Sequence, residues 1–359
     1  MPNIITAMIA SDPLTSAGSR FRIANWAEKL NVRTIRRPKK TEDLKNILMS
    51  LSEKKRLANN LSSGARSLFG FTGWRKSDLP ILIIQKTPPL ALAKIIEENS
   101  KSFHIIFDLC DPPINSYIIT EKNQNALESF RILTRISKII TVSSQALGKS
   151  VGAESNTKYI RDCIDEPISY QREDGLDKEK LTLLWFGGGG SAHYSTGIYE
   201  LEGCLQDLVP ITKLYKLNLH ICSNLNKGQF KSICDKANNI GVECCLYSEW
   251  SKMELSRQLR KAHYAWLPKC NNMATYYKSL NRMATAAIHG VRTITNSLLD
   301  PEMCSFKPIV INNIRNQSEQ EPIPDLLDPE NIYGCSMPYE WSPKAILNEW
   351  RDMLEAINQ

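Results

Sequence analysis

Apolar runs alternate with amphipathic stretches along most of the chain, and this alternation predicts its secondary structure. A β-branched run at residues 4–10 precedes a polar loop and then a stretch at 21–30 whose apolar spacing suits a helix. Further strands are predicted at 32–35, 81–85, 104–109, 139–143 and 157–161, and further helices at 41–57, 90–99 and 121–136. Apolar strands that alternate with helices are typical of a parallel sheet with both faces covered. The first part of the chain is therefore predicted to be an α/β domain.

A polar and charged stretch at 162–180 has no clear period and is interpreted as a linker. A second α/β series follows it. Its predicted strands are 181–186, 217–222, 242–247, 264–267 and 291–295, and its predicted helices are 196–208, 229–238, 251–261 and 277–289. The chain ends in an amphipathic helix at 341–358 that must dock on another element. We predict two open α/β domains, residues 1–165 and 166–340, with a cleft between them.

The composition is that of an ordinary globular protein and limits its partners. A chain of 359 residues is long for one core, and no apolar run approaches the roughly 18 to 20 residues that span a bilayer. We expect a cytoplasmic protein, because the amino terminus also lacks a charged start and a cleavage site. The net charge of +7 suits anionic partners, namely phosphorylated substrates, a membrane surface or nucleic acid. Nucleic acid is not expected, since no recognition module or sustained basic face with interleaved aromatic residues is present.

Basic residues cluster in the first quarter of the chain, at 33–40 and 54–56. They are either solvated surface charges or a patch that makes peripheral contact with the inner face of a membrane. The ten cysteines are scattered without metal-ligand spacing, so we expect reduced thiols and no metal site. Asp108 and Asp111 form a tight acidic pair, but one such pair is a weak ligand set.

The helix predicted at 277–289 carries the clearest candidate chemistry. It follows a strand and a polar loop, and Gly290 closes it. Lys278, Asn281 and Arg282 would share one face of its first turn, where free backbone N–H groups also point. That combination suits a phosphate or a diphosphate. The alternative is that Lys278 and Arg282 are solvated charges on an amphipathic helix.

A glycine run at 187–190 lies between a predicted strand and a predicted helix. Glycines there let backbone N–H groups approach an anion closely, in a concave loop that Ser191 ends. His193 could donate a hydrogen bond to a phosphate or a sugar hydroxyl. The run is not a dinucleotide-binding fingerprint, because no well-placed acidic residue ends the following strand. The alternative is a flexible turn between strand and helix.

The loops of the first domain hold a second set of polar residues. The candidates are Gly18, Arg20, Arg22, His104 and Asp108, with the strand ends expected to face the cleft. The two arginines are either ligand contacts or ordinary first-turn surface residues. Asp111 is the best candidate for a general base or for orienting an acceptor hydroxyl, although an aspartate before two prolines is also a common turn residue. Nucleophilic hydrolysis is not expected, since no Ser–His–Asp arrangement, nucleophile elbow, Walker loop or kinase signature occurs.

Four segments resemble the GT-B glycosyltransferases, especially the large bacterial group with a retaining-type carboxyl-terminal domain. They are SAGSRFRIANW at 16–26, IITVSSQAL at 139–147, the loop at 185–191, and Leu267–Pro268 followed by 277–295. The resemblance implies an α/β fold of two Rossmann-like domains that face each other across a cleft, with residues 341–359 crossing back onto the first domain. It also implies a nucleotide-diphosphate sugar as co-substrate and no other cofactor.

The chain departs from the family pattern in the donor helix. Family members usually carry two glutamates eight positions apart there, and Tyr277 and Thr285 stand at those positions. The basic pair that often follows the glycine loop is also missing, and Lys269, Lys278 and Arg282 are expected to take over its work. The donor-binding residues that the resemblance implies are Gly188, Gly189, Gly190, Ser191, His193, Lys269, Tyr277, Ser279, Asn281 and Thr285.

From this resemblance we expect a metal-independent glycosyltransferase that transfers a sugar to a glycan or lipid-linked acceptor in bacterial surface polysaccharide synthesis. Lys278 and Arg282 would stabilise the leaving diphosphate while domain closure excludes water. A retaining reaction by a front-side route would need no protein base, whereas an inverting reaction would use Asp111. The alternative is a noncatalytic GT-B-like module that binds a sugar nucleotide or assists a partner enzyme.

Overall fold

The computed structural model forms two compact units. Unit 1 comprises Met1–Cys163, Tyr277–Ser279 and Pro343–Gln359, and unit 2 comprises Ile164–Tyr276 and Leu280–Ser342. The structure describes residues 4–14, 16–61, 75, 78–111, 121–151, 156–167, 176, 179–190, 192, 195–248, 250–270, 272–298, 300–311, 325–333 and 335–357. None of the helices in these ranges is long and apolar enough to cross a membrane.

Each unit is built on a six-stranded sheet whose paired strands are parallel. The strands of unit 1 are β1 (Ile5–Ile9), β2 (Arg33–Arg36), β3 (Ile81–Gln85), β4 (His104–Leu109), β5 (Ile139–Val142) and β6 (Thr157–Tyr159). The strands of unit 2 are β7 (Lys180–Phe186), β8 (Lys216–Cys222), β9 (Val242–Tyr247), β10 (Tyr264–Trp266), β11 (Thr293–Thr295) and β12 (Ile309–Val310).

Helices connect these strands. In unit 1 a helical segment at residues 17–30 (α1) includes a π-helical stretch, Arg20–Ala24. The other helices are α2 (Thr41–Asn60), α3 (Leu90–Glu98), α4 (Glu121–Ile136), α5 (Gln145–Val151), α6 (Ile198–Gly203), α7 (Val209–Thr212), α8 (Lys227–Asn238), α9 (Lys252–Lys261), α10 (Met273–Tyr276), α11 (Asn281–Ile288), α12 (Pro329–Tyr333) and α13 (Pro343–Ala356). Parallel strands need such crossovers, which cover both faces of each sheet.

In unit 1 the strand order β2-β1-β3-β4-β5-β6 reverses direction beside β1. From β1 the chain first adds β2 on one side, and it then returns to build β3 to β6 on the other. The loops after β1 and β3 therefore leave the carboxyl edge of the sheet in opposite directions and open a crevice, a topological switch point where α/β sheets bind ligands. Every residue of β1 and of β3 is buried, so both strands lie in the core.

In unit 2 the order β12-β11-β10-β7-β8-β9 reverses beside β7. The chain adds β8 and β9 on one side of β7 and then β10, β11 and β12 on the other. The switch point therefore lies between the loops that follow β7 and β10. The apolar side chains of β7 are buried in the core clusters of this unit, with Trp185 fully enclosed.

The last helix, α13, packs in the core of unit 1. Ile346, Trp350 and Leu354 are buried in the same cluster as the side chains of β1 and α1. The indole of Trp350 stacks on Trp26 with ring centroids 4.1 Å apart. The amphipathic pattern at the end of the chain thus supplies a large part of the apolar cover on one face of this sheet.

The predicted fold class is confirmed, with two parallel α/β sheets of the Rossmann type. Several boundaries differ by a few residues. The strand predicted at 157–161 ends at Tyr159, and the helix predicted at 196–208 is a short α6 followed by a 3-10 turn at Leu205–Leu208. Much of the predicted linker, at residues 168–175, lies outside the described residues.

Candidate functional site

The glycine run lies at the carboxyl end of β7, beside the switch point of unit 2. Gly190 has a φ of +66°, and a Cβ there would lie 1.9 Å from the carbonyl oxygen of Thr196. Gly197 has a φ of +65°, and its Cβ would lie 2.5 Å from the carbonyl oxygen of Gly188. The loop therefore folds back on itself through two positions that suit glycine alone. At Gly188 and Gly189 an added Cβ would meet nothing within 4 Å, so no atom of the chain crowds these two positions.

Gly190→Ala is expected to destabilise unit 2 by at least about 1 kcal/mol more than Gly241→Ala. Both glycines have a positive φ, since that of Gly241 is +77°, but a Cβ at Gly241 would meet nothing within 4 Å. The difference between the two variants therefore isolates the close contact with Thr196. Urea unfolding measures it, and equal losses would contradict this loop geometry.

Arg282 brings a guanidinium group to the glycine run from the first turn of α11. Its Nη2 donates to Oε2 of Glu200 over 2.8 Å, and the Glu200 side chain is only 3% exposed. Thr275 donates a second hydrogen bond to Glu200, over 3.2 Å. Nη1 of Arg282 is buried, has no hydrogen-bond partner among the described residues and lies 3.6 Å from the position of a Cβ on Gly187. One arm of the guanidinium is thus held by the protein, and the other can donate to a ligand at the glycine run.

Lys269 lies in the loop after β10, at the other side of the same switch point. It is buried, and its backbone N–H donates to Oδ1 of Asn296 over 2.8 Å. Asn296 in turn donates to Asp207 over 2.7 Å, which fixes this loop within unit 2.

Across the part of the chain that the structure describes, His, Cys, Asp and Glu side chains form no cluster of three or more that could hold a metal ion.

The helix predicted at 277–289 begins only at Asn281, so the prediction was wrong for its first four residues. Helix α10 ends at Tyr276 and α11 begins at Asn281, so Lys278 and Arg282 do not share a helical face. Hydrogen bonds from outside the segment replace those of a helix here. Ser144 donates to the carbonyl oxygen of Tyr277 over 2.9 Å, and Ser279 donates to Asp162 over 2.5 Å. These contacts place residues 277–279 in unit 1.

Asp111 forms ion pairs with two lysines in unit 1. Its Oδ1 accepts from Nζ of Lys278 over 2.5 Å, and its Oδ2 accepts from Nζ of Lys86 over 2.7 Å. Burial raises the pKa of Asp111, but the two ammonium groups outweigh this effect and hold the pKa well below its ordinary range. The carboxylate therefore stays ionised at neutral pH and is a weak proton acceptor, which disfavours a general base. Its predicted role in orienting an acceptor hydroxyl stays a prediction.

Arg22 lies in a buried polar network of unit 1. Arg22 is fully buried, and it donates to Asp108 over 2.6 Å, to Asp162 over 3.3 Å and to the carbonyl oxygen of Ile160 over 2.5 Å. Burial lowers the pKa of Arg22, but the charges of Asp108 and Asp162 outweigh it and raise the pKa. Arg22 and Asp108 are thus buried and paired with each other, and the acceptor-side role given to them stays a prediction.

The other acceptor-side candidates, Arg20, His104 and Gly18, lie in different places in unit 1. Arg20 is buried, lies over the ring of Phe21 and donates to the carbonyl oxygen of Pro13 over 3.3 Å. His104 opens β4, so it lies at the amino edge of the sheet, away from the ligand-binding edge where it was expected. Gly18 does lie at the carboxyl edge, beside Lys86.

The other donor candidates have mixed positions. Thr285 is buried and its hydroxyl donates to the carbonyl oxygen of Asn281, one helical turn earlier. Tyr277 packs against the core of unit 1. Ser191 and His193 lie outside the described residues. The donor-binding roles of Tyr277, Ser191 and His193 stay predictions, whereas the hydroxyl of Thr285 is already engaged within α11.

Sequence reasoning missed Glu200 and Lys86. Glu200 sits among apolar residues of α6 with no motif around it, so nothing in the sequence marks it as the partner of Arg282. Lys86 directly follows β3, whose first four residues are apolar and whose last is Gln85. Ligands of α/β sheets bind at this end of the strands. That position was the one signal that could have identified it.

No family model matches the sequence, and no curated protein sequence matches it. Solved structures do resemble the chain. AviGT4, a glycosyltransferase involved in avilamycin A biosynthesis, is 13% identical with a TM-score of 0.51 over 98% of this chain and 98% of that one. The N-terminal domain of a trehalose-6-phosphate phosphatase from Candida albicans is 12% identical with a TM-score of 0.54, over 99% and 97%. TarM is 13% identical with a TM-score of 0.52; the match covers 78% of this chain and 55% of TarM.

Proposed function

Because this chain has the GT-B glycosyltransferase fold, we propose that it transfers a sugar from a nucleotide-diphosphate donor to a glycan or lipid-linked acceptor. The donor diphosphate lies on the backbone of Gly188 and Gly189 and accepts from Nη1 of Arg282. The acceptor belongs to surface polysaccharide synthesis of bacteria. The likeness to AviGT4, a glycosyltransferase, supports the reaction class.

The observation that carries this proposal is the buried Nη1 of Arg282, which has no partner among the described residues. A buried charged donor without a hydrogen bond is costly, so its position beside an open glycine loop favours an anionic ligand there. Glu200 holds the other arm of the guanidinium in place, so the charge is oriented before the ligand binds. In the transfer step this cation stabilises the negative charge that develops on the leaving diphosphate.

This mechanism makes the protein supply the positive charge, and it uses no metal ion. The guanidinium donates charge-assisted hydrogen bonds to the leaving group. The amides of the glycine loop direct the positive ends of their dipoles at the same group. Preorganised donors of this kind contribute most of the transition-state stabilisation in many enzymes.

A noncatalytic module is a second candidate, favoured by the state of Thr285. This residue stands where the family usually carries a glutamate, and its hydroxyl is already bonded inside α11. A module of this kind would bind the sugar nucleotide without transferring the sugar. A panel of acceptors tests this alternative. If the chain binds the sugar nucleotide but releases no free nucleotide with any acceptor, the noncatalytic module is favoured over the transferase.

Peripheral contact with an anionic membrane is proposed for the basic region at 33–40. In strand β2, at the edge of the unit 1 sheet, Arg33 and Arg36 are exposed. Their side chains could meet lipid phosphates without displacing any core residue. Sedimentation with vesicles that contain anionic lipid, compared with neutral vesicles, measures this contact.

The double variant Gly188→Ala/Gly189→Ala tests the proposed donor site. We expect the free energy of unfolding to change by less than about 0.5 kcal/mol, because neither Cβ would lie within 4 Å of another atom of the chain. Nucleotide-diphosphate binding should weaken at least about tenfold, since the methyl groups occupy the space of the ligand. Calorimetric titration with UDP, GDP and CDP gives the affinities.

Gly228→Ala serves as the control, because Gly228 lies in the first turn of α8 and its Cβ would meet only the Asn226 side chain. It should leave nucleotide affinity unchanged. A wild-type chain that binds none of the three nucleotides, or a double variant that binds them as the wild type does, would contradict the proposed site.

A further inference from the structure

The switch point of unit 1 carries a group of charged residues that the donor site does not use. Gly18 lies in the segment that follows β1, and Lys86 directly follows β3. These two strands are neighbours in the sheet, and the chain leaves them in opposite directions. Ligands of open α/β sheets bind in the crevice between two such loops.

The backbone at Lys86 is held in an unfavourable conformation. Its φ is +58°, in the left-handed region that a lysine rarely adopts. The amide of Lys86 donates to the carbonyl oxygen of Asp108 over 2.8 Å. Arg37 donates to the carbonyl oxygens of Gln85, of Lys86 over 2.7 Å and of Thr87 over 3.1 Å. Strain that surrounding contacts maintain in this way is concentrated at functional sites.

A buried glutamine joins the two loops of the crevice. Oε1 of Gln85 accepts from the amide of Ala10 and from the hydroxyl of Ser19, each over 2.9 Å. Its Nε2 donates to the carbonyl oxygen of Gly18 over 2.8 Å. The ammonium group of Lys86 lies 3.6 Å from the position of a Cβ on Gly18. The contacts of Gln85 hold the two segments against each other, and the Lys86 side chain lies beside Gly18.

The solvent-facing part of this cluster has an excess of positive charge. Lys86, Lys278 and Asp111 have side chains that are 36%, 46% and 31% exposed, and they carry one net positive charge. Arg22, Asp108 and Asp162 are buried, and Arg22 pairs with both carboxylates, so their charges are balanced within the protein. The carboxylate of Asp111 bridges the two ammonium groups in the manner of a bound anion.

We infer that Lys86 and Lys278 bind a phosphate group of the acceptor, which takes the place of the Asp111 carboxylate between the two ammonium groups. This inference rests on the proposed transferase function, because it assigns the phosphate to the acceptor and not to the donor. Asp111 is the internal counter-ion of the site. It competes with the ligand and so sets its affinity.

Titration of the full chain with inorganic phosphate tests this inference, and it needs neither a nucleotide nor turnover. Asp111→Asn should raise the phosphate affinity at least about tenfold over the wild type, because it removes the competing charge while keeping the shape of the side chain. Adding Lys86→Gln or Lys278→Gln to Asp111→Asn should each remove that gain. Circular dichroism and thermal midpoints show that each variant is folded.

The matched controls are Lys101→Gln and Asp352→Asn, both exposed and in other parts of unit 1. They should leave phosphate affinity at the wild-type value. No gain in Asp111→Asn, or a gain that persists in both double variants, would overturn the inference. A parallel titration with acetate identifies the ligand class: a gain for acetate as large as that for phosphate would overturn the assignment to phosphate.

The two proposals fail separately. If UDP, GDP and CDP do not bind while Asp111→Asn gains phosphate affinity, the donor site is wrong and the anion site stands. If the nucleotides bind at the glycine run while Asp111→Asn gains nothing, the anion site is wrong and the donor site stands.

Discussion

Arg282→Gln is expected to lower the turnover of a nucleotide-sugar donor about 10²- to 10³-fold, the usual cost of removing one preorganised donor to a developing negative charge. The guanidinium lies against the glycine loop and its Nη1 has no partner in the described part of the chain, so the substitution removes the cation proposed to meet the diphosphate. Release of the nucleotide product, followed under single-turnover conditions, measures the loss.

Misfolding must be separated from lost chemistry in this experiment. Arg282→Gln leaves the buried carboxylate of Glu200 without its ionic partner, which is destabilising in itself. The double variant Arg282→Gln/Glu200→Gln removes both charges and should recover most of the stability without recovering turnover. Arg257→Gln, which breaks an exposed pair with Glu254, should change neither the stability nor the turnover. Normal turnover in the folded double variant would rule out Arg282 as the diphosphate ligand.

Arg22→Met is expected to destabilise unit 1 by about 3 to 5 kcal/mol, the range for breaking one side of a buried ion pair. Arg22 is fully buried between Asp108 and Asp162, and methionine would leave two carboxylates without a cation. The loss of its hydrogen bond to the carbonyl oxygen of Ile160 adds to the effect. Native-state hydrogen exchange of amides in β4 and β5 reports the stability of this unit separately.

The control for this prediction is Arg135→Met, which breaks the exposed pair of Arg135 with Glu97. Its cost should stay within about 1 kcal/mol, because exposed ion pairs contribute little. Similar losses for Arg22→Met and Arg135→Met would show that the buried network does not hold unit 1 together.

The alternation of apolar and amphipathic stretches was sufficient to predict two parallel α/β sheets. The strand predicted at 81–85 and the helix predicted at 121–136 have the observed bounds, because buried parallel strands are continuous apolar runs and their covering helices have a distinct period. The start of the helix predicted at 277–289 was wrong, because residues 277–279 continue the helical pattern but bond to Ser144 and Asp162, which lie far away in sequence. The apolar spacing within a segment cannot indicate hydrogen bonds to residues that are distant in the sequence.

The candidate site was predictable where it depends on local chemistry. A glycine run after a strand indicates a backbone that must bend sharply or meet a ligand. Gly190 meets the first reason through its positive φ, and a ligand at Gly188 is a proposal. Arg22 shows the limit of this reasoning. In the sequence it is an arginine in a polar loop, and its burial follows from pairing with Asp108, 86 residues away. Burial of a charge becomes visible only when both partners are placed.

The central claim is that a nucleotide diphosphate binds at the switch point of unit 2, and a crystal soaked with a nucleotide-diphosphate sugar tests it most directly. We predict diphosphate oxygens at about 2.7 to 3.2 Å from Nη1 of Arg282 and from the amides of Gly188 and Gly189. A diphosphate bound away from the carboxyl ends of β7 and β10, with Nη1 of Arg282 not in contact with it, would contradict the account.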